Sequence, residues 1–361
     1  MRKRLALLFG FMGLVTVFIT CSTEFELNIP QETPVLYGIL DQTADTQWIK
    51  LNKSFLGDGN NFEYAAINDC TEYSNALISV EEIGGLSRSW MLSETYVPVA
   101  SGSGLFYTDS QKVYYFVPSG GLDATASYKI TASFDDEKPD LEATTKLIGP
   151  EFKFNALFNI LLYSGVQFES GTSITSTSYQ NLSVEWRTGD EGRRYDLTMR
   201  LHYTEYDMAG TPSEKYLDYY QGEVTTTETT GNILQTRTIN GESFFQFIGT
   251  HPDLADVSDV AKRVTEHIEF IVTAAADELN TYINVNQPVS GIVTERPTYT
   301  NVSNGIGIFS ARSTISLVRP GPDTLRFKTN SMEELSLGQY TNGLLFCSDS
   351  LAYTTESFYC P

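Results

Sequence analysis

Apolar and polar residues alternate with a period of two along most of this chain, the pattern of strands that bury one face. The clearest run is Tyr195, Leu197, Met199, Leu201 and Tyr203, set between Asp196, Thr198, Arg200 and His202. Ile49 and Leu51 alternate with Lys50 and Asn52, and Tyr128, Ile130, Ala132 and Phe134 alternate with Lys129, Thr131 and Ser133. Residues 35–40, 76–83, 112–117 and 141–148 read as further strands, separated by Gly, Asn and Asp. Gly149-Pro150 ends this group. Six or seven strands in about 115 residues predict a small sandwich of immunoglobulin-like type.

A second unit starts near Phe152, with Val184 and Trp186 set against Glu185 and Arg187. After the turn at 209–212, residues 216–220 predict a returning strand. Residues 224–230 are almost all Thr and Glu and read as an exposed edge or a loop. Pro252 suits a first helical position, and Leu254, Val257, Val260, Ala261 and Val264 recur at helical spacing. Asp253, Asp256 and Asp259 favour the positive end, with Lys262 and Arg263 at the negative one. Together these predict a helix over 252–264. Ile268, Phe270 and Val272 then resume strand alternation, residues 277–283 suggest a helical turn, and 306–318 form two strands or one bent strand. The expected fold is mainly β: two β-sandwich-like domains, 34–150 immunoglobulin-like and 151–361 with one short helix.

The first residues follow another rule. Arg2, Lys3 and Arg4 precede an apolar run over 5–19, then Thr20 and Cys21. As a helix at ~1.5 Å per residue this run is about 23 Å long, short of the ~30 Å bilayer core. A signal peptide over 1–20 fits better than a permanent span. Phe18-Ile19-Thr20-Cys21 resembles the lipobox of bacterial lipoproteins, with departures at Phe18 and Thr20. The resemblance implies cleavage before Cys21, acylation of Cys21 by palmitate-like chains, and a lipid-anchored tether over 21–33. Several chains anchor stably, since each buried CH₂ contributes about 0.8 kcal/mol. Glu24 and Glu26 resemble the short acidic signal of surface-exposed lipoproteins of Bacteroidota. The expected location is the outer membrane, lipid-anchored and facing the cell surface.

Charge narrows the partners. Removing residues 1–20 deletes Arg2, Lys3 and Arg4 and no acid, so the formal charge moves from −21 to −24. Such a surface is repelled by phosphate backbones, which argues against nucleic acid. After Cys21 only Cys70, Cys347 and Cys360 remain. An exported location permits disulfides, and Cys347 and Cys360 bracket a short polar segment, which makes them candidates to pair and leaves Cys70 odd.

Three stretches then read together: Val35-Leu36-Tyr37-Gly38-Ile39-Leu40 with Ile49-Lys50-Leu51-Asn52-Lys53-Ser54; Tyr128-Lys129-Ile130-Thr131-Ala132 with Ala143-Thr144-Thr145 before Pro150; and Asn301-Val302-Ser303-Asn304-Gly305-Ile306-Gly307-Ile308-Phe309-Ser310-Ala311. Their arrangement, over most of 34–318, resembles the Bacteroidota outer-membrane lipoproteins of domain-of-unknown-function family 4249. The resemblance implies a protein found alongside TonB-dependent receptors. It supplies no catalytic residues.

Little else suggests chemistry. His202, His251 and His267 share no metal-ligand spacing on one element. No nucleophile elbow or His-Glu-x-x-His motif occurs, and Gly305-Ile306-Gly307 reads as a turn or bulge. Asp58 and Asn60 lack the terminal Glu of a calcium loop, and Asp135, Asp136 and Glu137 read as a solvated hairpin tip. No catalytic, metal or cofactor residue is expected. Tyr203, Tyr206, Tyr216, Tyr219 and Tyr220 form the candidate interaction surface, with cross-strand packing as the alternative. Asp323-Thr324-Leu325 and Asp349-Ser350-Leu351 resemble sites that Bacteroidota O-glycosylate, which marks Thr324 and Ser350. The reading is a non-enzymatic outer-membrane accessory protein whose partner is a barrel or another surface protein. The alternatives are a carbohydrate-binding or hydrolytic accessory lipoprotein and a pilin-like subunit. The last is disfavoured because the first mature base, Lys50, lies inside a strand.

Overall fold

The computed structural model describes residues 32–54, 65, 67–98, 110–135, 138–171, 178–228, 230–287, 298–318 and 325–360. In chain order the first strands are β1 (Pro34–Asp41), β2 (Gln47–Lys53), β3 (Leu77–Ile83), β4 (Ser89–Met91), β5 (Ser93–Pro98), β6 (Ser110–Phe116), β7 (Ser127–Ser133) and β8 (Leu141–Lys146). They continue with β9 (Lys153–Phe154), β10 (Asn181–Arg187), β11 (Gly192–Asp207), β12 (Pro212–Thr225), β13 (Leu234–Asn240), β14 (Val260–Ala276), β15 (Ile306–Leu317) and β16 (Phe346–Cys347).

The chain is mainly β and sandwich-like, as the alternation predicts. In β2 the inward Ile49 and Leu51 are fully buried, and in β7 so are Tyr128, Ile130 and Ala132. These residues join Leu36, Val80 and Leu141 in one apolar core between the sheet β4-β3-β7-β8 and the first strands of a larger sheet. That larger sheet has nine strands, ordered β12-β11-β14-β15-β1-β2-β6-β5, with β16 added to β14. A second core lies between its other end and the small sheet β13-β10-β9. Trp186, Tyr195, Met199 and Phe270 meet there with Phe244 and Phe245 of the helix Gly241–Gly249. Each fully buried large apolar side chain contributes about 1.5–3 kcal/mol.

One strand belongs to both cores. The first half of β15 pairs in parallel with β1, from Val35↔Ile306 to Asp41↔Arg312. Its second half pairs antiparallel with β14, from Ala275↔Arg312 to Phe270↔Leu317. Arg312 sits at the handover, with its Nε 2.8 Å from Asp41 Oδ2. Phe309 and Ala311 of β15 and Val302 therefore pack into the core formed by residues 36–147. The nine-stranded sheet runs across residue 150, where the two domains were expected to part.

Gly307 permits this junction. Its φ is +120°, and a Cβ there would fall on the Leu36 carbonyl oxygen. The glycines of 305–307 thus serve backbone approach within a strand pair.

The helix expected over 252–264 is corrected. Helix is confined to Pro252–Ala255, and β14 begins at Val260. Leu254 is buried, Val257 is partly exposed, and Val264 is buried as part of the sheet. Pairing with β11 over nearly the whole strand outweighs a local helical period in a stretch rich in β-branched residues. The packing helix lies just upstream instead. Asn240 caps Gly241–Gly249 by accepting from Ser243 N at 2.8 Å, and Phe244, Phe245 and Ile248 form its buried face. A further helix, Asp277–Asn286, follows β14 where a short helical turn was expected over 277–283.

Candidate functional site

The five tyrosines separate by strand parity. Tyr203 is 1 % exposed and faces the core, where burial pushes its hydroxyl up to about 12. Tyr219 also turns inward and stacks on Phe247, ring centres 4.7 Å apart. These two are packing residues, which corrects their assignment to the interaction surface. Tyr206, Tyr216 and Tyr220 occupy the opposite face, and Tyr216 and Tyr220 are 56 % and 55 % exposed. Four residues along a strand place these two about 13 Å apart.

The outer face of β12-β11-β14-β15 is a polar lattice around these rings. One row across the strands is Tyr216, His202 and His267; the next is Asp218, Arg200 and Glu269. Arg200 is held by Asp218 through two contacts of 2.6 and 2.8 Å. Its guanidinium also lies 4.1 Å from the Tyr216 ring centre. Hydrogen bonding to Asp218 raises the Arg200 pKa further above its usual value. Tyr220 donates to Asp196 at 3.0 Å. Tyr206 carries Lys262 over its ring at 5.3 Å.

His202 and His267 meet across β11 and β14 beside a bulge that inserts Glu266. His202 Nε2 lies 3.1 Å from Glu269 Oε2. Burial, and then the neighbouring His202, push the His267 pKa down. Burial alone would raise the Glu269 carboxyl, but hydrogen bonds from Ser316 and His202 bring it below its ordinary value. Sequence reasoning missed this pair because the two histidines lie on different strands. Its signal was parity: His202 falls on the polar side of the clearest alternating run. His251 caps Pro252–Ala255, its Nδ1 accepting from Asp253 N at 3.3 Å.

The remaining expectations fall as follows. Cys21, Asp58, Asn60, Asp136, Glu137 and Thr324 lie outside the described residues. Ser350 is half-buried, and its hydroxyl accepts from Ala352 N at 3.4 Å at the start of a 3₁₀ turn. Cys347 and Cys360 are joined by a disulfide, Cα to Cα 5.2 Å, and Cys70 is unpaired. Among the described residues, no three or more His, Cys, Asp or Glu side chains are grouped to hold a metal ion. Among the same residues, no helix is long and apolar enough to cross a membrane.

No family model matches this chain, and no curated protein does. Among solved structures, the chain is similar to the C-terminal globular domain of an oligosaccharyltransferase from Pyrococcus abyssi, at 11 % identity and a TM-score of 0.26. The match covers 66 % of this chain and 45 % of that one, so this chain spans less than half of that structure's length. A likeness this slight carries no functional argument.

Proposed function

We propose that this chain is a non-enzymatic, lipid-anchored outer-membrane protein that serves a surface complex through the outer face of β12-β11-β14-β15. The observation behind this reading is the pair Tyr216 and Tyr220, both more than half exposed on a rigid sheet face beside the Arg200–Asp218 pair. Tyr and Arg held by their neighbours give contact area at low entropic cost and dominate interface hot spots. A flat face of this kind suits a macromolecular partner more than an enclosed small molecule. The partner class is a barrel of TonB-dependent receptor type or a neighbouring surface protein. Its contacting loops are basic, because the mature chain carries −24. A lipid on Cys21 confines the chain to the membrane and raises the local concentration of such partners. Glu32 and Thr33 are bonded to the folded body, to Lys138 and Ser54. The stretch 22–31, fully extended at ~3.5 Å per residue, lets that body reach roughly 35 Å from its anchor.

Two measurements test this. Cells expressing Cys21→Ser are fractionated: loss of the protein from the detergent phase supports the anchor, and unchanged partitioning with a retained palmitate label refutes it. Intact cells are cross-linked with wild type and with the Tyr216→Ala/Tyr220→Ala double variant. A cross-linked partner that the double variant loses, with its thermal midpoint unchanged, supports the contact. Monomer alone from wild-type cells refutes it.

A further inference from the structure

A cleft of about 740 Å³ opens between β9, β10, the helix Ala156–Leu161 and the end of β15. Lys153 of β9 and Arg187 of β10 line it and are direct register partners. Like charges facing each other across an antiparallel pair destabilise a sheet. This chain has 45 acidic and 24 basic residues, so acids are plentiful. Many of the described cations use them, as in Lys129–Glu142, Arg200–Asp218 and Arg326–Asp349, though Lys50 and Lys328 bond to glutamine amides instead. Among the described residues neither Lys153 nor Arg187 has an acid within ion-pair distance.

The nearby acids are turned elsewhere. Glu185, two residues before Arg187, accepts from Asn155 Nδ2 at 2.6 Å. Glu269, behind the β15 wall, accepts from the Ser316 hydroxyl. Arg187 itself is held in place, its Nη1 donating to Asn232 O at 3.0 Å. One held guanidinium and one exposed ammonium, that of Lys153, therefore share one opening in an otherwise acidic protein.

The rest of the lining indicates what kind of anion fits. Asn155, Asn159 and Asn232 bring amides, which donate and accept as sugar hydroxyls do. Ile315 and Leu317 supply an apolar wall for the face of a ring. The volume lies within the ~300–1,000 Å³ of small-ligand clefts. An acidic peptide that docks by strand addition finds little edge here, because β9 is only two residues long. We propose that this cleft binds an acidic saccharide, with a uronate carboxylate between Lys153 and Arg187 and the ring against Ile315 and Leu317. This reading goes beyond the sheet-face contact and uses different residues, so either can fail alone.

The test is calorimetric titration of the full mature chain with trigalacturonate, neutral galactotriose and hexaglutamate. The uronide is expected to bind at least about tenfold more tightly than either comparator. Lys153→Gln and Arg187→Gln each weaken it about tenfold or more, while Lys153→Arg keeps it. Removing one of two facing like charges leaves the thermal midpoint of Lys153→Gln equal to or above wild type. The proposal is overturned by no uronide binding to wild type, by equal binding of galactotriose or hexaglutamate, or by affinity unchanged in both Gln variants. Loss of binding in Lys153→Arg as large as in Lys153→Gln also overturns it.

Discussion

His202 and His267 lie face to face, ring centres 4.0 Å apart and planes 13° from parallel. A charge on His202 at that distance repels one on His267, so the folded chain resists protonating His267. His267 is held below its ordinary value by burial and by His202; Arg326 adds to the effect, and Glu266 and Glu269 oppose it. The folded state therefore binds fewer protons than the unfolded one once the pH falls to the unfolded value near 6.5. Stability is full above that pH and is lost as the pH falls through it. The thermal midpoint is expected to drop between about pH 7.5 and about pH 5.5, and His267→Gln is expected to flatten the slope. A wild-type midpoint that does not change over that interval rules the account out.

Arg263 is fully buried, with its Nε 2.8 Å from Glu205 Oε2. Its guanidinium also donates to the carbonyls of Leu254, Leu344 and Asp256. Glu205→Ala leaves this cation buried without its counter-charge, a loss of about 3–5 kcal/mol. Chemical denaturation measures it. A loss under about 1 kcal/mol shows that the three carbonyls suffice.

Gly307→Ala tests the strand shared by the two cores. The added methyl meets the Leu36 carbonyl at a φ of +120°, and relieving it forces β1 and β15 apart. A destabilisation of about 3 kcal/mol or more is expected, with early loss of hydrogen-exchange protection at residues 35–40. Gly210→Ala, in the open hairpin turn at φ +84° with nothing within 4 Å of the added carbon, is the milder control.

The bond between Cys347 and Cys360 closes a segment with a sequence separation of 13. Constraining a loop of about 15 residues contributes about 3 kcal/mol. The segment also holds β16 against β14, through Arg263↔Phe346 and Val264↔Cys347. Cys360→Ser is expected to lower the thermal midpoint by several degrees and to abolish its response to reductant. Equal midpoints for oxidised wild type and the variant contradict this.

Legibility varied with the range of the physics involved. Tyr195, Leu197, Met199 and Leu201 announced β11 because side-chain alternation is a property of a few consecutive residues. That alternation also placed Tyr203 inside, and grouping it with Tyr216 by residue type obscured the fact. Val260 to Val264 carried both a helical and a strand period, and only the presence of β11 alongside selected the strand. Asn240 and the apolar positions Phe244, Phe245 and Ile248 carried the signal of a helix, which a reading led by period-two alternation passed over.

The sequence by itself determined the alternating strands, the acidic surface and the place of each side chain on one of two faces. These follow from local sterics, side-chain parity and the count of charges. Tertiary structure alone decided which strands meet. It set β1 beside β15 across about 270 residues, stacked His202 on His267, and left Lys153 facing Arg187. Those contacts depend on long-range closure of the chain, whose cost grows only slowly with loop length, so no short window of sequence records them.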